Sequence, residues 1–288
     1  MPAFTYRSGC LSLGERTAVM GILNVTPDSF SDGGRYTTVE AALEHACRME
    51  REGADLLDIG AQSTRPGHVP VSAEEEIRRL QPVLRALRPR TSLPLSIDTY
   101  YPEVARMAME EGADILNDVS GGIDNGMAEV AAATGAGLIM MHAGGGADDT
   151  GDGGDPVEQV AAFFHRALCC ARQAGLPEAR VCLDPGVGFG KGRTGDGELV
   201  ARLPRLIREF PHCAVLVGAS RKRVTAAFST AEGETPPPFD QRLGGTVAIH
   251  SIAQWNGAHI LRVHDVAPAV QAARLVDALR SMREERIG

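Results

Sequence analysis

One phrase recurs four times along this chain of 288 residues, and it constrains the fold more than any other feature. The four copies are EGADLLDIG from Glu52, EGADILNDVSGG from Glu111, TGAGLIMMHAGG from Thr134 and NGAHILRVHDV from Asn256. Each has Gly-Ala, one further residue, two to four apolar residues and then a polar group. Glycine is favoured just after a helix because it adopts the left-handed conformation at little cost. The phrase therefore predicts a helix end, a tight turn, a buried strand and a polar strand end.

Four more apolar runs are candidate strands, and together with the repeats they give eight. They are VMGILN ending at Asn24, LPLSID ending at Asp98, ARVCLD ending at Asp184 and CAVLVGAS ending at Ser220. Short apolar runs without alternation are typical of strands buried on both faces of a parallel sheet. Eight such strands, nearly all followed by a helical pattern, predict a single-domain TIM (β/α)8 barrel over residues 1–288. A doubly wound open sheet is the alternative, because sequence alone does not show closure.

Polar segments between the strands predict loops rather than domain linkers. Residues 144–156 (GGGADDTGDGGDP) and 229–240 (STAEGETPPPFD) belong after strands five and seven. The polar run VTPDSFSDGG after the first strand is longer than an ordinary turn. The acidic run AEEEIRRL at 73–80 predicts a solvated helix start, with its carboxylates favourably near the N-terminus.

Charge and cysteine content exclude several classes of protein. A net charge of −8 argues against a general nucleic-acid binder, although a few local Arg and Lys side chains can still bind a small anion. The six cysteines include no C-x-x-C pair, which favours reduced thiols in a cytoplasmic protein. Since no apolar run approaches the roughly 20 residues that span a bilayer, no membrane partner is expected.

Polar residues at the strand ends are the candidate functional groups, because the C-terminal strand ends of a TIM barrel form its active site. The polar ends are Asn24, Asp58, Asp98, Asn117, Asp118, His142, Asp184, Lys222, Arg262 and His264. Asp98, Asn117 and Asp184 supply acceptors and an amide, which suit a flat heterocycle rich in N–H groups.

Cationic groups in the same set suit a negatively charged ligand. Arg262 and His264 lie two apart on one strand and so face the same way. Arg65 and Lys222 add further donors for an anion. The glycine-rich run DPGVGFGK, which begins at Asp184, lacks the G-x-x-x-x-G-K-[ST] pattern and is not a P-loop.

Seven motifs, in order along the chain, resemble those of the dihydropteroate synthases. They are MGILNVTPDSFSDGG, STRPG, SIDT, NDVSGG, DPGVGFGK, SRK and RVHDV. The resemblance covers about Val19 to Ala278, and the first two motifs are the most specific because other pterin-binding barrels share the later ones. It implies a TIM-barrel transferase of folate biosynthesis. Such an enzyme joins 6-hydroxymethyl-7,8-dihydropterin diphosphate to 4-aminobenzoate and releases diphosphate.

The resemblance also implies roles for the matching residues. Those expected to bind the pterin are Asp98, Asn117, Asp184 and Lys222. Those expected to bind the diphosphate are Thr64, Arg65, Arg262 and His264. Those expected around 4-aminobenzoate are Phe30, Pro66, Phe189, Ser220 and Lys222. Asn24 is expected to ligate Mg²⁺ on the diphosphate, where few protein ligands are needed, and the family's homodimer is expected for this chain.

The implied reaction is an SN1-like ionisation of the pterin C–O bond. Asp98 favours positive charge on the pterin, while Arg262, His264 and Mg²⁺ stabilise the departing diphosphate. The arylamine then attacks, and it needs no strong base because it is already neutral. The expected catalytic residues are Lys222, Arg262, His264 and Asp98.

Some positions depart from the family pattern and leave two alternatives open. The chain has Ala61-Gln62 where the family usually carries Gly-Glu, MMHAGGG where Met-His-Met is commoner, and Gly192 where Asn is usual. One alternative is a corrinoid-linked methyltransferase, which has no use for the 4-aminobenzoate loops at residues 25–34 and 63–67. The other is a paralogue that binds pterin without catalysis, which Gln62 and the altered fifth strand end keep open.

Overall fold

The computed structural model describes residues 3–14, 16–25, 35–62, 71–121, 123–144, 154–227, 230 and 234–284. The strands in these residues are β1 (Ala3–Tyr6), β2 (Gly9–Ser12), β3 (Ala18–Asn24), β4 (Leu56–Gly60), β5 (Leu95–Asp98), β6 (Ile115–Asp118), β7 (Gly137–Met141), β8 (Val181–Asp184), β9 (Ala214–Val217) and β10 (Ile260–Val263). Strands β3 to β10 form a closed parallel barrel in chain order, in which β10 pairs with β3. The predicted TIM barrel is therefore confirmed over the open sheet, because an open sheet would leave those two strands apart.

Helices connect the barrel strands and cover the outside of the barrel. They are α1 (Arg35–Arg51), α2 (Ala73–Leu87), α3 (Pro102–Glu110), α4 (Met127–Thr134), α5 (Pro156–Gln173), α6 (Gly192–Ala201), α7 (Leu203–Glu209), α8 (Val224–Ala227), α9 (Leu243–Trp255) and α10 (Val266–Glu284). In the part of the chain that the structure describes, no helix combines the length and the apolar character that a membrane span requires. The segments 144–156 and 229–240 follow β7 and β9 as predicted, and residues 145–153, 229 and 231–233 lie outside the described part.

The repeated phrase adopts the conformation that its glycine predicts. Gly53, Gly112, Gly135 and Gly257 all have φ between +76° and +106°. Each lies between a helix and the barrel strand that follows, namely β4, β6, β7 and β10. The glycine thus lets the chain reverse sharply from the helical layer into the barrel.

The lower half of the barrel interior, at the N-terminal ends of the strands, is apolar. Inward side chains from most barrel strands form one buried cluster that includes Met20, Leu56, Ile115 and Ile260. The antiparallel hairpin β1–β2 lies against this end, and its Phe4 is fully buried in the same cluster. Nothing in the repeated phrase predicts this hairpin.

The upper half of the interior, at the C-terminal strand ends, is polar because the strand register brings polar residues to one level. Asn24 pairs with Gly60, Gly60 with Asp98, and Asp98 with Asn117 across neighbouring strands. Since side chains alternate along a strand, residues at matching register positions face the same side of the sheet. Asn24, Asp98 and Asn117 therefore share one rim.

Candidate active site

An ion cluster centred on Arg262 fills the upper half of the barrel. The Arg262 Nε atom donates to Asp58 Oδ2 at 2.6 Å, and Nη2 donates to Asp98 Oδ2 at 2.7 Å. Asp58 also accepts from Ser96 Oγ at 2.6 Å and from Asn117 Nδ2 at 3.0 Å, and it is fully buried. Asp58 is thus the fixed anchor of the cluster, whereas Asp98 lies nearer the opening, with 8 % of its surface exposed.

The sequence analysis did not predict Ser96 as a site residue. It also did not predict that Asp58 accepts hydrogen bonds from Arg262, Ser96 and Asn117. The available signal was spacing, because Ser96 precedes Asp98 by two residues and so faces the same side of its strand. Register then places Ser96 directly opposite Asp58.

Burial shifts the pKa values of the charged groups in this site. Three carboxyl groups share this interior with two cations. Burial raises the pKa of Asp98 to about 7, against the opposing effect of Arg262, and burial also raises the pKa of Asp184. Burial lowers the pKa of Lys222 to about 7, although Asp184 favours its charge. Burial opposes the charge of Arg262, but Asp58 and Asp98 together outweigh it and raise its pKa. The site is therefore poorly hydrated and suits a ligand that offers N–H donors to its carboxyl groups.

The glycine-rich run wraps around Lys222. The Lys222 Nζ atom donates to the carbonyl of Val187 at 2.7 Å and lies 3.8 Å from the centre of the Phe189 ring. A Cβ on Gly188, which has φ +85°, would lie 2.5 Å from Lys222 Cδ, so this close approach requires glycine. The Gly188 N–H in turn donates to Asp196 of α6 at 2.7 Å. The run thus supports an amine and an aromatic ring side by side.

Lys191, at the end of that run, fastens it to β7. Its Nζ atom donates to the carbonyls of His142, Gly186 and Phe189 at 2.9 to 3.0 Å. These three bonds account for the donors of one ammonium group, so Lys191 holds the loop in shape.

His264 follows β10 and Ser220 follows the neighbouring strand β9, and the two residues lie together. Ser220 Oγ accepts from the His264 N–H at 3.1 Å and lies 3.0 Å from His264 Nδ1. The Phe239 ring meets the imidazole edge-on at 5.5 Å. Arg262 and His264 are both partly exposed while Val263 between them is buried, as alternation along the strand predicts.

Two of the polar strand ends face away from this rim. Asp118 accepts from the Ser120 N–H and from Asn125 Nδ2, at 2.7 and 2.6 Å, and so caps its own loop. The His142 imidazole packs edge-on against Phe163 of α5 at 5.0 Å. Both follow an inward-facing neighbour by one residue, so alternation turns them toward the helical layer.

The acidic start of α2 is only partly solvated, which corrects the sequence expectation. Glu74 is exposed, but Glu76 is fully buried, and burial raises its pKa to about 7. Gln62 Nε2 donates to Glu76 Oε2 at 3.2 Å. A glutamate at position 62 would place a second carboxylate against Glu76 and repel it. Gln62 instead donates a hydrogen bond to Glu76 and adds no charge.

Several candidates fall outside this geometry. Phe30, Thr64, Arg65 and Pro66 lie outside the described residues. Asn24 ends β3 on the rim and is partly exposed. Among the described side chains, no group of three or more His, Cys, Asp or Glu residues could hold a metal ion. A single amide oxygen fits Mg²⁺ only where a ligand such as a diphosphate supplies further oxygens.

Fold and site together define a TIM-barrel protein with a buried, mixed-charge site at the C-terminal strand ends, where such barrels have their active sites. A family model described as pterin binding enzyme matches residues 20–264. The Escherichia coli (strain K12) dihydropteroate synthase is 40% identical over 273 residues, 93% of each chain. The Xanthomonas albilineans dihydropteroate synthase with 4-aminobenzoic acid has a TM-score of 0.85, with 44% identity over 94% of this chain and 95% of its own.

Another structure of the Xanthomonas albilineans enzyme is in complex with 7,8-dihydropteroate. It has a TM-score of 0.84 and 41% identity, over 97% of this chain and 99% of its own. The chain belongs to the pterin-binding enzymes and, within them, to the dihydropteroate synthase family.

Proposed function

We propose that this chain condenses 6-hydroxymethyl-7,8-dihydropterin diphosphate with 4-aminobenzoate to give 7,8-dihydropteroate and diphosphate. The observation that carries the proposal is the buried cluster of Asp98, Arg262, Asp184 and Lys222 at the mouth of the barrel. Its acceptors suit the N–H-rich edge of a pterin. It occurs in a family whose solved members are complexed with 4-aminobenzoic acid and with 7,8-dihydropteroate.

The pterin is proposed to bind Asp98, Asn117, Asp184 and Lys222. Asn117 already gives its amide N–H to Asp58, which leaves the amide oxygen as its acceptor for a pterin donor. Asp184 Oδ1 accepts from the Gly186 N–H at 2.7 Å, so its second oxygen serves the ligand. Orphaned acceptors in a buried site are costly, which makes a ligand without matching donors a poor fit.

The diphosphate is proposed to meet Arg262 and His264, together with Thr64 and Arg65. Because Nε and Nη2 of Arg262 bind carboxylates, the diphosphate would meet the remaining Nη1 nitrogen. The pterin C–O bond breaks with its electron pair going to the diphosphate, and Asp98 favours the positive charge that remains on the pterin. The arylamine nitrogen then forms the new C–N bond and loses one proton.

Mg²⁺, when bound, would neutralise part of the diphosphate charge, and Asn24 is the residue proposed to hold it. Replacing Asn24 with alanine should raise the Mg²⁺ concentration needed for half-maximal activity several-fold, since one oxygen ligand is lost. A magnesium titration of both proteins tests this. Full activity of the unmodified protein in excess EDTA would contradict a metal requirement.

The 4-aminobenzoate site is proposed to combine Phe189 and Ser220 with Phe30 and Pro66 of the two polar loops. Phe189 offers a ring face beside Lys222, and Ser220, two residues before Lys222, lies beside His264. An aromatic acid fits such a pairing because its ring packs on Phe189 while its polar ends reach the hydroxyl and cationic groups.

A homodimer and a cytoplasmic location complete the proposal. In the described residues the exposed large hydrophobic side chains all lie on α9 and α10. They are Leu243, Ile252, Trp255, Leu275, Leu279 and Met282. A second copy of this chain is the proposed occupant, because a clustered apolar face on two neighbouring helices suits a self-complementary contact. The six cysteines are free thiols, which supports a reducing compartment.

Light scattering tests the dimer. The unmodified protein should have twice the mass of the chain, and Leu275→Glu should give monomers with unchanged helix content. A monomeric unmodified protein at micromolar concentration would refute the proposal.

One assay tests the activity against both alternatives. Diphosphate release that requires both the pterin substrate and 4-aminobenzoate supports the synthase. A methyltransferase would show no dependence on 4-aminobenzoate, and a non-catalytic paralogue would bind the pterin without releasing diphosphate.

A further inference from the structure

The turn after β9 carries two proposed site residues, and helix α9 holds its backbone. Strand β9 ends at Val217, so barrel pairing does not reach Ser220 and Lys222. The Ala219 N–H donates instead to His250 Nε2 at 3.1 Å, and the Arg221 N–H donates to Thr246 Oγ1 at 2.9 Å. Both acceptors are side chains of α9.

The turn also needs such support because it is locally strained. Arg221, which is not glycine, has φ +56° in the left-handed region. A Lys222 N–H to Ala219 carbonyl contact of 3.2 Å closes the turn on itself. The conformation of this turn, and with it the placement of Ser220 and Lys222, therefore depends on contacts from outside the turn.

We propose that His250 is a positioning residue of this site: its imidazole acts as a hydrogen-bond acceptor that fixes the Ala219 amide and thereby the placement of Ser220 and Lys222. The functional part of this inference depends on the proposed activity. The contact itself does not.

The chemistry of His250 suits a permanent acceptor. The residue is only 3 % exposed, and with Nε2 accepting, the ring proton must sit on Nδ1. Burial, aided by the nearby charge of Lys222, lowers the pKa of His250 to about 3. A doubly protonated ring would point an N–H at the Ala219 N–H, so the neutral form is the one that holds the turn.

Gln254 offers a matched control one helical turn further along α9. It is as buried as His250, but its Nε2 atom donates to the Ala273 carbonyl at 2.9 Å and to Asp277 Oδ1 at 2.7 Å, both on α10. Removing Gln254 therefore disturbs the packing between α9 and α10 without removing a contact to the turn.

The test compares His250→Leu, His250→Gln and Gln254→Leu. Glutamine can rescue the contact because its amide oxygen is separated from Cα by as many bonds as Nε2 of histidine. We expect His250→Leu to raise the KM for 4-aminobenzoate about tenfold, on the scale of one lost hydrogen bond, with a smaller change in kcat. His250→Gln should restore most of that loss, and Gln254→Leu should lower the melting temperature without moving the KM.

Hydrogen exchange supplies a readout that needs no activity. In the unliganded protein the Ala219 amide should exchange faster in His250→Leu than in the unmodified protein, whereas Gln254→Leu should leave it protected. If the leucine variant does not fold, His250→Asn replaces it, because its amide oxygen is one bond too short to reach Ala219.

Two outcomes overturn the inference. If His250→Leu and Gln254→Leu change the KM and the exchange of Ala219 equally, His250 is only a core residue. If glutamine fails to rescue either quantity, the acceptor role is wrong. Failure of the unmodified protein to form dihydropteroate would instead refute the proposed function, and the exchange experiment would still decide the contact.

Discussion

The lower and upper halves of the barrel interior are built from the same eight strands, but the lower half is apolar and the upper half is charged. In the lower half, side chains such as Met20, Leu56 and Ile260 form an apolar cluster with Phe4 of the hairpin. In the upper half, Asp58 and Arg262 form directional, charged hydrogen bonds. Along β10 the change takes only two residues, from Ile260 to Arg262. One strand thus supplies stability at its start and a ligand site at its end.

The energetics of the two halves differ accordingly. Burying one large apolar side chain stabilises the fold by about 1.5–3 kcal/mol. A buried ion pair adds little net stability, because desolvation offsets the attraction between the charges, yet removing one partner leaves an uncompensated charge. Variants of the lower half should therefore affect folding first, and variants of the upper half should affect activity first.

Removing the Phe4 side chain from the apolar cluster of the lower half should give the largest effect. We expect Phe4→Ala to lower the free energy of unfolding by about 3–5 kcal/mol, because it leaves a cavity in the apolar cluster. Urea denaturation measures the loss. Both substrate KM values should stay unchanged at a temperature where the variant is folded. A large change in KM would mean that the hairpin is coupled to the site and that the two halves are not separate.

Arg262→Ala should lower turnover by about two to three orders of magnitude, as is typical when electrostatic stabilisation of a developing charge is lost. Ile260→Ala is the matched control on the same strand. It should cost about 2–5 kcal/mol of stability and leave kcat near normal. Steady-state kinetics with both variants checks the contrast. Equal losses of kcat in the two variants would contradict the proposal that the upper half serves activity and the lower half serves folding.

Asp184→Ala should weaken binding of a pterin ligand by about 1–3 kcal/mol, the penalty for orphaned buried donors. Asp184→Asn sharpens this test, because an amide oxygen can keep the bond to the Gly186 N–H while the charge is lost. Calorimetry with a pterin that lacks the diphosphate measures both affinities. Unchanged affinity in a folded alanine variant would remove Asp184 from the pterin site.

The smallest effect is a dependence of stability on pH that the upper half alone should contribute. Burial lowers the pKa of Lys222 to about 7 from its ordinary 10.5. Between these values the unfolded chain binds more protons than the folded one, so this contribution to stability rises with pH across that window. Lys222→Met should flatten the rise in urea unfolding experiments at pH 7 and 9. An identical slope in both proteins would show that folding leaves the pKa of Lys222 unchanged.

Local patterns were enough for the barrel and for much of its rim. Gly53, Gly112, Gly135 and Gly257 mark helix ends by the conformation they permit, and this property belongs to the residue itself. The polar strand ends Asp98 and Asn117 were predicted for the rim, and their register pairing places them there. The residue type at a helix end and the polar residue at a strand end are properties of short segments, which a sequence displays directly.

The tertiary structure decided which polar groups meet. Asp118 and His142 were predicted for the rim but face the helices, because a shift of one residue along a strand reverses the side of the sheet. The sequence likewise does not show that Glu76 is buried.

Composition, periodicity and motif order determined the class of fold and the family, because each is repeated or local. The bond between Arg262 and Asp58 joins residues 204 positions apart, and that between Ala219 and His250 joins a turn to a helix 31 positions away. Whether such groups touch depends on barrel closure and on how α9 packs, neither of which any short segment encodes. Local patterns therefore determined the fold. Which charged and polar groups of the site pair with each other was determined only by the closure of the barrel and the packing of α9.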